Sequence, residues 1–155
     1  MTALQIRFSN LATLTDDAHA IFDEWIGGML EGDPVPDEAL TLLRLKLAVH
    51  EWMANLVQHA RFGVREPLIV LTVNPLPSGE TECIIEDNSE GFDLRSTLEV
   101  RQNALHALPE RGMGLLMLQA CSKSLNYASS SSPPGHCLAF IVADPGDDIF
   151  LDVLF

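Results

Sequence analysis

The chain has 155 residues, 47% of them hydrophobic, which predicts a single domain over residues 1–155 with a core of ordinary size. Its 22 acidic residues outnumber 9 Lys and Arg, so the formal net charge of −13 disfavours nucleic acids and acidic membranes as partners. No apolar run approaches the roughly 20 residues that span a bilayer, and no leader pattern opens the chain, so we expect a cytoplasmic protein.

The first half of the chain predicts one strand and two helices. Residues 4–8 alternate apolar and polar side chains, as a short half-buried strand does. Residues 15–17, Thr-Asp-Asp, offer N-caps for a first helix that ends at the glycines of 27–28 or by 32–34. Pro-Asp-Glu then starts a second helix, whose apolar stripe runs over 39–60.

A hairpin and a long loop follow the second helix. Residues 68–73 and 81–86 are rich in β-branched and aliphatic side chains and flank the turn at 75–79, which predicts two paired strands. Residues 88–111 are polar and poorly periodic, apart from a possible short helix near 98–108. Loops of this length are usually functional or disordered.

The last third of the chain predicts a helix and two more strands. Glycines at 112 and 114 open an apolar helix, and residues 125–129 and 137–142 are strands around the turn at 130–135. The apolar tail over about 149–155 must dock on the domain or on a partner. The predicted fold class is α+β, an antiparallel sheet backed by helices.

Three cysteines, Cys83, Cys121 and Cys137, lie beside aliphatic residues. Their number is odd and their spacing does not match a zinc site, so we expect buried thiols and no disulfide framework.

A polar stripe on the second helix is the first candidate for chemistry. Glu51, Asn55 and His59 are spaced by four residues, so their side chains lie on one helix face, away from the apolar stripe. An Asn oxygen suits a hard cation such as Mg²⁺, and a carboxylate one turn away could polarise a water or a hydroxyl. A solvated helix face has the same pattern, and spacing alone leaves that alternative open.

The second candidate is an acid at the end of a strand. Alternation places Cys83, Ile85 and Asp87 on one face, so Asp87 ends an apolar row. A carboxylate at the edge of an apolar pocket requires a partner, and the exocyclic amino group of adenine is a suitable donor. The sequence Asp-Asn-Ser-Glu-Gly is also ordinary Asx-turn chemistry, and this alternative stays open.

The third candidate is a glycine pair at a helix start. Arg111, Gly112 and Gly114 lie where backbone amides and the helix dipole can meet a phosphate. A Gly-x-Gly element before a helix can equally be a simple turn.

In this order and spacing, the three elements resemble the GHKL ATPases, and more closely the bacterial anti-sigma factor serine kinases. The segment AVHEWMANLVQHA resembles the N box of that family, IIEDNSEGFDL resembles its G1 box, and ERGMGLLMLQACS resembles its G2 box. The resemblance covers about residues 42–142. It implies a two-layer α/β sandwich of the Bergerat type, with ATP and Mg²⁺ as cofactors.

The resemblance also implies roles for individual residues. Asn55 would bind Mg²⁺ and phosphate, Asp87 would hold adenine, Gly91 would shape the pocket floor, and Glu51 would be the catalytic base. His59 would brace the helix. Four consecutive residues would belong to the ATP lid: Arg111, Gly112, Met113 and Gly114.

The sequence departs from the family pattern in three places. Ser89 stands where the G1 box usually has glycine, so adenine binding could be weaker. The late strand begins Gly135-His136-Cys137 and lacks the usual Thr near the aspartate. The loop over 92–110 contains only two basic residues, which leaves phosphate charge to Mg²⁺ and backbone amides.

The function implied by the resemblance is a serine/threonine kinase that phosphorylates a STAS-type anti-anti-sigma protein. It would also sequester a partner such as a sigma factor and would form a homodimer. One alternative is an ATP-dependent partner-switching module without catalysis, which Ser89 and the altered late strand favour. Another is a histidine-kinase-like ATPase domain, which would need phospho-acceptor helices that we do not expect before residue 1. An α+β scaffold without nucleotide is the last alternative.

Overall fold

The computed structural model describes residues 2–29, 31, 36–91, 113–129 and 135–147. Over these residues the chain forms a five-stranded sheet in which every neighbouring pair of strands is antiparallel, in the order β1-β2-β3-β5-β4. The strands are β1 Leu4–Phe8, β2 Ile69–Pro75, β3 Thr81–Asp87, β4 Ser122–Ser129 and β5 His136–Val142. The helices are α1 Leu14–Met29, α2 Pro36–His59 and α3 Met113–Ala120. The fold is therefore α+β, as the sequence predicted.

The start of α1 differs from the prediction, whereas its end at Met29 falls between the two predicted stops. A 3-10 turn, Leu11–Thr13, leads into α1, and its N-cap is Asn10, whose side chain accepts a hydrogen bond of 3.0 Å from the N–H of Ala12. Asp16 and Asp17 consequently lie in the first turn, where the helix dipole favours acidic residues, and are not caps. The helix also continues through the glycines at 27–28, because the side chains around them pack against the core.

β4 begins earlier than the prediction, at Ser122 instead of residue 125. Its first residues, Ser-Lys-Ser, have low strand propensity, yet they pair with β5 through a register irregularity between Ser122 and Ser124. β4 is an edge strand, and bulges and charged residues are common on such edges. Tertiary pairing has overridden local propensity here.

The core lies between the helices and one face of the sheet. Side chains at the helical spacing of α2, including Leu45, Val49 and Trp52, are at most 1% exposed. Alternate residues of β3, Cys83 and Ile85, are fully buried opposite them. Each such side chain contributes roughly 1.5–3 kcal/mol through burial. Because Asp87 continues the buried row of β3, it belongs to the helix-facing side of the sheet.

A buried arginine joins α2 to the segment that follows β5. Arg44 is 7% exposed, and its guanidinium donates to the carbonyl oxygens of Asp144 at 2.5 Å and Asp147 at 2.7 Å. Sequence periodicity gave no signal for this contact, because arginine interrupts an otherwise apolar stripe. Within the described residues, no helix has the length and apolar character of a membrane-spanning segment.

Three predicted segments lie outside the described residues: the possible helix near 98–108, most of the turn at 130–135 and the tail at 149–155. The thiols of Cys83 and Cys121 are buried and that of Cys137 is partly exposed, and all three are free.

Candidate functional site

Asp87 ends β3 as a fully buried carboxylate, at 0% exposure. Its Oδ1 accepts a hydrogen bond of 2.9 Å from the N–H of Ser89 and another from the Ser89 hydroxyl. Its Oδ2 is buried and has no hydrogen-bond partner within the described part of the chain. A buried acceptor left without a donor costs about 1–3 kcal/mol or more, so Oδ2 is suited to a donor that a ligand supplies.

The turn after Asp87 is an Asx-turn, which was the alternative interpretation of the sequence Asp-Asn-Ser-Glu-Gly. The same turn still leaves one carboxylate oxygen unpartnered, so the two interpretations are compatible. Several hydrogen bonds fix the turn to the connection between α2 and β2, including one from Nδ2 of Asn88 to the carbonyl of Glu66 at 2.8 Å. The N–H of Glu90 donates to the carbonyl of Arg61 at 2.8 Å, and the N–H of Leu68 donates to Oδ1 of Asn88 at 2.8 Å.

Gly91 lies directly against the ring of His136. A Cβ at Gly91 would lie 2.7 Å from Nε2 and 2.8 Å from Nδ1 of His136, and φ at Gly91 is +77°, a conformation that favours glycine. His136 is also the cross-strand partner of Asp87 and stacks on Tyr127 at a centroid distance of 5.9 Å. His136 therefore borders the turn at the position where the resemblance led us to look for Thr.

Asn55 lies in the middle of the polar stripe on α2 but is only 8% exposed. Its Nδ2 is buried and, among the residues that the structure describes, has no hydrogen-bond partner. Glu51 is partly buried and His59 is exposed. The stripe is therefore not a uniformly solvated face, because its middle residue is buried. A buried amide can donate from Nδ2 to a phosphate oxygen and offer Oδ1 to Mg²⁺.

Glu51 reaches the first turn of α3. A Cβ at Gly114 would collide with Oε2 of Glu51 and lie 3.5 Å from its Cδ. The carboxylate thus lies at the positive end of the helix dipole, which stabilises it. Met113 begins α3, and Arg111 and Gly112 lie outside the described residues.

Aromatic contacts connect the strand-end acid to the helix. His136 stacks on Tyr127, and Tyr127 contacts Trp52 at a centroid distance of 5.5 Å. These contacts link the strand pair of Asp87 and His136 to α2 at Trp52, about one turn before Asn55.

At this site the sequence did not predict the hydroxyl contact of Ser89 or the contacts of His136 and Asn88. Ser89 and His136 were visible only as departures from a family pattern. A hydroxyl two residues after a strand-end aspartate is, however, a general signal for a local hydrogen bond to that carboxylate.

Comparison with known proteins identifies the class to which this fold and site belong. The family model "Histidine kinase-like ATPase domain" matches residues 13–142, and the chain belongs to that family. Among solved structures, the histidine kinase domain of the Erythrobacter litoralis EL346 blue-light activated histidine kinase matches with 18% identity and a TM-score of 0.45. That match covers 66% of this chain and 44% of the other, so this chain corresponds to less than half of that protein's length. No curated protein matches this chain.

The described residues fit the nucleotide that this family implies. Asp87 provides an unpartnered acceptor for an amino group, and Asn55 provides an unpartnered donor with an oxygen suited to Mg²⁺.

Proposed function

We propose that this chain binds Mg-ATP with adenine against Asp87 and the phosphates near Asn55. The observation that carries the proposal is the buried Oδ2 of Asp87, which has no donor in the described chain. The exocyclic amine of adenine supplies a donor of the right chemistry, and its ring is apolar enough to lie beside the buried row of β3.

The bound ATP serves phosphoryl transfer to a serine or threonine of a protein partner. Glu51 is the proposed base, since its carboxylate lies one turn before Asn55 and against Gly114. It takes the proton of the acceptor hydroxyl as the hydroxyl oxygen bonds to the γ-phosphorus. The bond from that phosphorus to the β,γ-bridging oxygen breaks, and ADP leaves. Mg²⁺, when bound, neutralises charge on the phosphates.

The proposed acceptor is a STAS-type anti-anti-sigma protein, and the kinase also sequesters a partner such as a sigma factor while acting as a homodimer. This part rests on the resemblance of the three sequence segments to the anti-sigma factor serine kinases. The net charge of −13 is compatible with a basic protein surface as the sequestered partner.

Replacing Glu51 tests its proposed role as the base. We expect Glu51→Gln to lower transfer from Mg-ATP to purified STAS-domain proteins by at least about 100-fold, within the range of general-base effects. The dissociation constant of Mg-ATP should stay within about threefold of the wild-type value, because Glu51 is not proposed to bind adenine. Glu24→Gln, an exposed carboxylate of α1, is the matched control.

A Glu51→Gln protein that transfers phosphate as fast as the wild type would remove Glu51 as the base, and a wild type that binds Mg-ATP but transfers no phosphate would remove the kinase assignment. Acid-stable phosphoserine or phosphothreonine is the expected product. Acid-labile phosphohistidine would instead assign the chain to histidine-kinase chemistry.

A second candidate is an ATP-dependent partner-switching module without catalysis. The hydrogen bond from the Ser89 hydroxyl to Asp87 favours this candidate. This bond alters the turn that is proposed to bind adenine, in a fold that active kinases use. Under this proposal the wild type binds Mg-ATP and changes its affinity for its partner but transfers no phosphate.

A further inference from the structure

We infer that Ser89 is a positioning residue that makes this site selective for purines with an amino group at position 6. The inference rests on the proposed binding of ATP and concerns how Asp87 is held. Glycine at this position could not donate a side-chain hydrogen bond to Asp87. The proposed selectivity therefore depends on a residue in which this chain differs from the family pattern.

The direction of every hydrogen bond around Ser89 is fixed by chemistry. A backbone N–H can only donate, so the N–H of Gly91 donates to Ser89 Oγ at 3.1 Å. An ionised carboxylate can only accept, so the single hydroxyl proton of Ser89 goes to Asp87 Oδ1. Ser89 is 4% exposed, which keeps bulk water from competing for these bonds.

Asp87 Oδ1 therefore receives two donors from one residue, the N–H and the hydroxyl of Ser89. These donors fix the plane of the carboxylate and satisfy Oδ1. Oδ2 stays buried and unpartnered within the described chain, so it is the oxygen available to a ligand.

An oriented acceptor distinguishes between purines. A 6-amino group donates to Oδ2, whereas a 6-oxo group presents a lone pair to an anionic oxygen, and the two repel. A carboxylate free to turn could relieve that repulsion by moving Oδ2 or admitting water. Ser89 removes this freedom, so loss of its hydroxyl should reduce discrimination as well as affinity.

Nucleotide selectivity of Ser89 variants tests the inference. The dissociation constants of Mg-ATP and of Mg-inosine triphosphate, which carries a 6-oxo group, are measured by calorimetry for the wild type and Ser89→Ala. We expect Ser89→Ala to bind ATP about 5–20-fold more weakly, as for loss of one charge-assisted hydrogen bond, and to lower the preference for ATP over inosine triphosphate at least about threefold.

The chain offers a matched control in the hairpin turn. Ser78 makes the same kind of bridge, donating from Oγ to the carboxylate of Glu80 at 2.9 Å and accepting from the N–H of Glu80 at 3.3 Å, but it is exposed. Ser78→Ala should leave both dissociation constants unchanged. Ser89→Thr keeps the hydroxyl and should keep the wild-type preference.

Each outcome decides a specific claim. A Ser89→Ala protein that keeps the wild-type preference overturns the inference but leaves ATP binding intact. If Ser89→Ala does not fold, Ser89→Gly also lacks the hydroxyl and is measured in its place. A wild-type protein that binds neither nucleotide overturns the proposed function together with this inference.

Discussion

Oδ2 of Asp87 and Nδ2 of Asn55 are among the buried side-chain atoms of the described chain that lack hydrogen-bond partners, a set that also includes Nε1 of Trp25 and Nε of Arg44. The Asp87 atom is an acceptor at the end of a strand and the Asn55 atom is a donor on the facing helix. Buried polar groups are paired in most native structures, and the exceptions are often functional. In the proposed complex with ATP, the adenine amine pairs with the first atom and a phosphate oxygen with the second.

The contact between Gly91 and His136 gives a prediction for the folded state. Gly91→Ala should lower the free energy of unfolding by about 1–3 kcal/mol more than Gly79→Ala, in line with the known cost of strain and overpacking. Both glycines have positive φ, but only Gly91 has a ring in the position of the new methyl group. Urea unfolding measures the difference.

A double variant isolates the ring contact in this prediction. His136→Ala removes the obstacle, so adding Gly91→Ala to it should cost no more than Gly79→Ala costs in the wild type. An equal cost for Gly91→Ala with and without the ring of His136 would show that the contact does not constrain position 91.

Burial of Cys121 gives a prediction for the pH dependence of stability. Burial raises the pKa of the Cys121 thiol to about 11. A thiol in the unfolded chain loses its proton near pH 8.5, so between roughly pH 8.5 and 11 the unfolded state is the one that releases a proton and becomes favoured. This group alone should lower the free energy of unfolding by about 2–3 kcal/mol over that range.

Comparison with Cys121→Ala separates this thiol from other titrating groups. The variant should show a shallower decline in stability above about pH 8.5, while Cys83, whose pKa burial also raises, contributes equally to both proteins. Parallel stability curves for the two proteins would contradict the assignment.

At the level of elements, the first turn of α3 is shaped around Glu51. Gly114→Ala should fail to give the stabilisation of about 0.5–1 kcal/mol that Gly→Ala brings inside a helix, because the methyl group displaces the Glu51 carboxylate. Gly28→Ala in α1, with open space around it, should give that stabilisation. Thermal or urea unfolding compares the two.

The Glu51→Ala background completes this test. With the carboxylate removed, Gly114→Ala should become neutral or stabilising, like Gly28→Ala. If Gly114→Ala is already stabilising in the wild type, Glu51 does not occupy the space at the start of α3.

The strongly periodic elements could be predicted from the sequence. The apolar stripe of α2 and the alternation that ends at Asp87 both depend on burial, and burial repeats with the period of the backbone. The Asn10 cap and the early start of β4 could not be predicted, since one depends on a 3-10 turn and the other on pairing with a strand later in the chain.

The candidate site was predictable in part for the same reason. Glu51 and Asn55 share a helix face by spacing, but the burial of Asn55 depends on how α2 packs. The contacts of His136 with Gly91 and Tyr127 depend on the pairing of β5 between β3 and β4. No local pattern encodes such a pairing.

At the scale of the whole molecule, net charge constrains how ATP can bind. A chain of formal charge −13 repels free ATP, so binding requires a divalent cation and local donors that act within about one Debye length. Asn55 lies where such a cation and the phosphates are proposed to bind.

Titration of Mg-ATP into the wild type and Asp87→Asn, followed by calorimetry, tests the central claim most directly. Ser89 holds Oδ1, so the Asn oxygen should take that position and its NH₂ should replace Oδ2 and face the adenine amine, donor against donor. We predict saturable binding to the wild type, unchanged in the exposed control Asp37→Asn, and at least about tenfold weaker binding to Asp87→Asn. No binding of millimolar Mg-ATP to the wild type, or equal affinity in Asp87→Asn, would contradict the account.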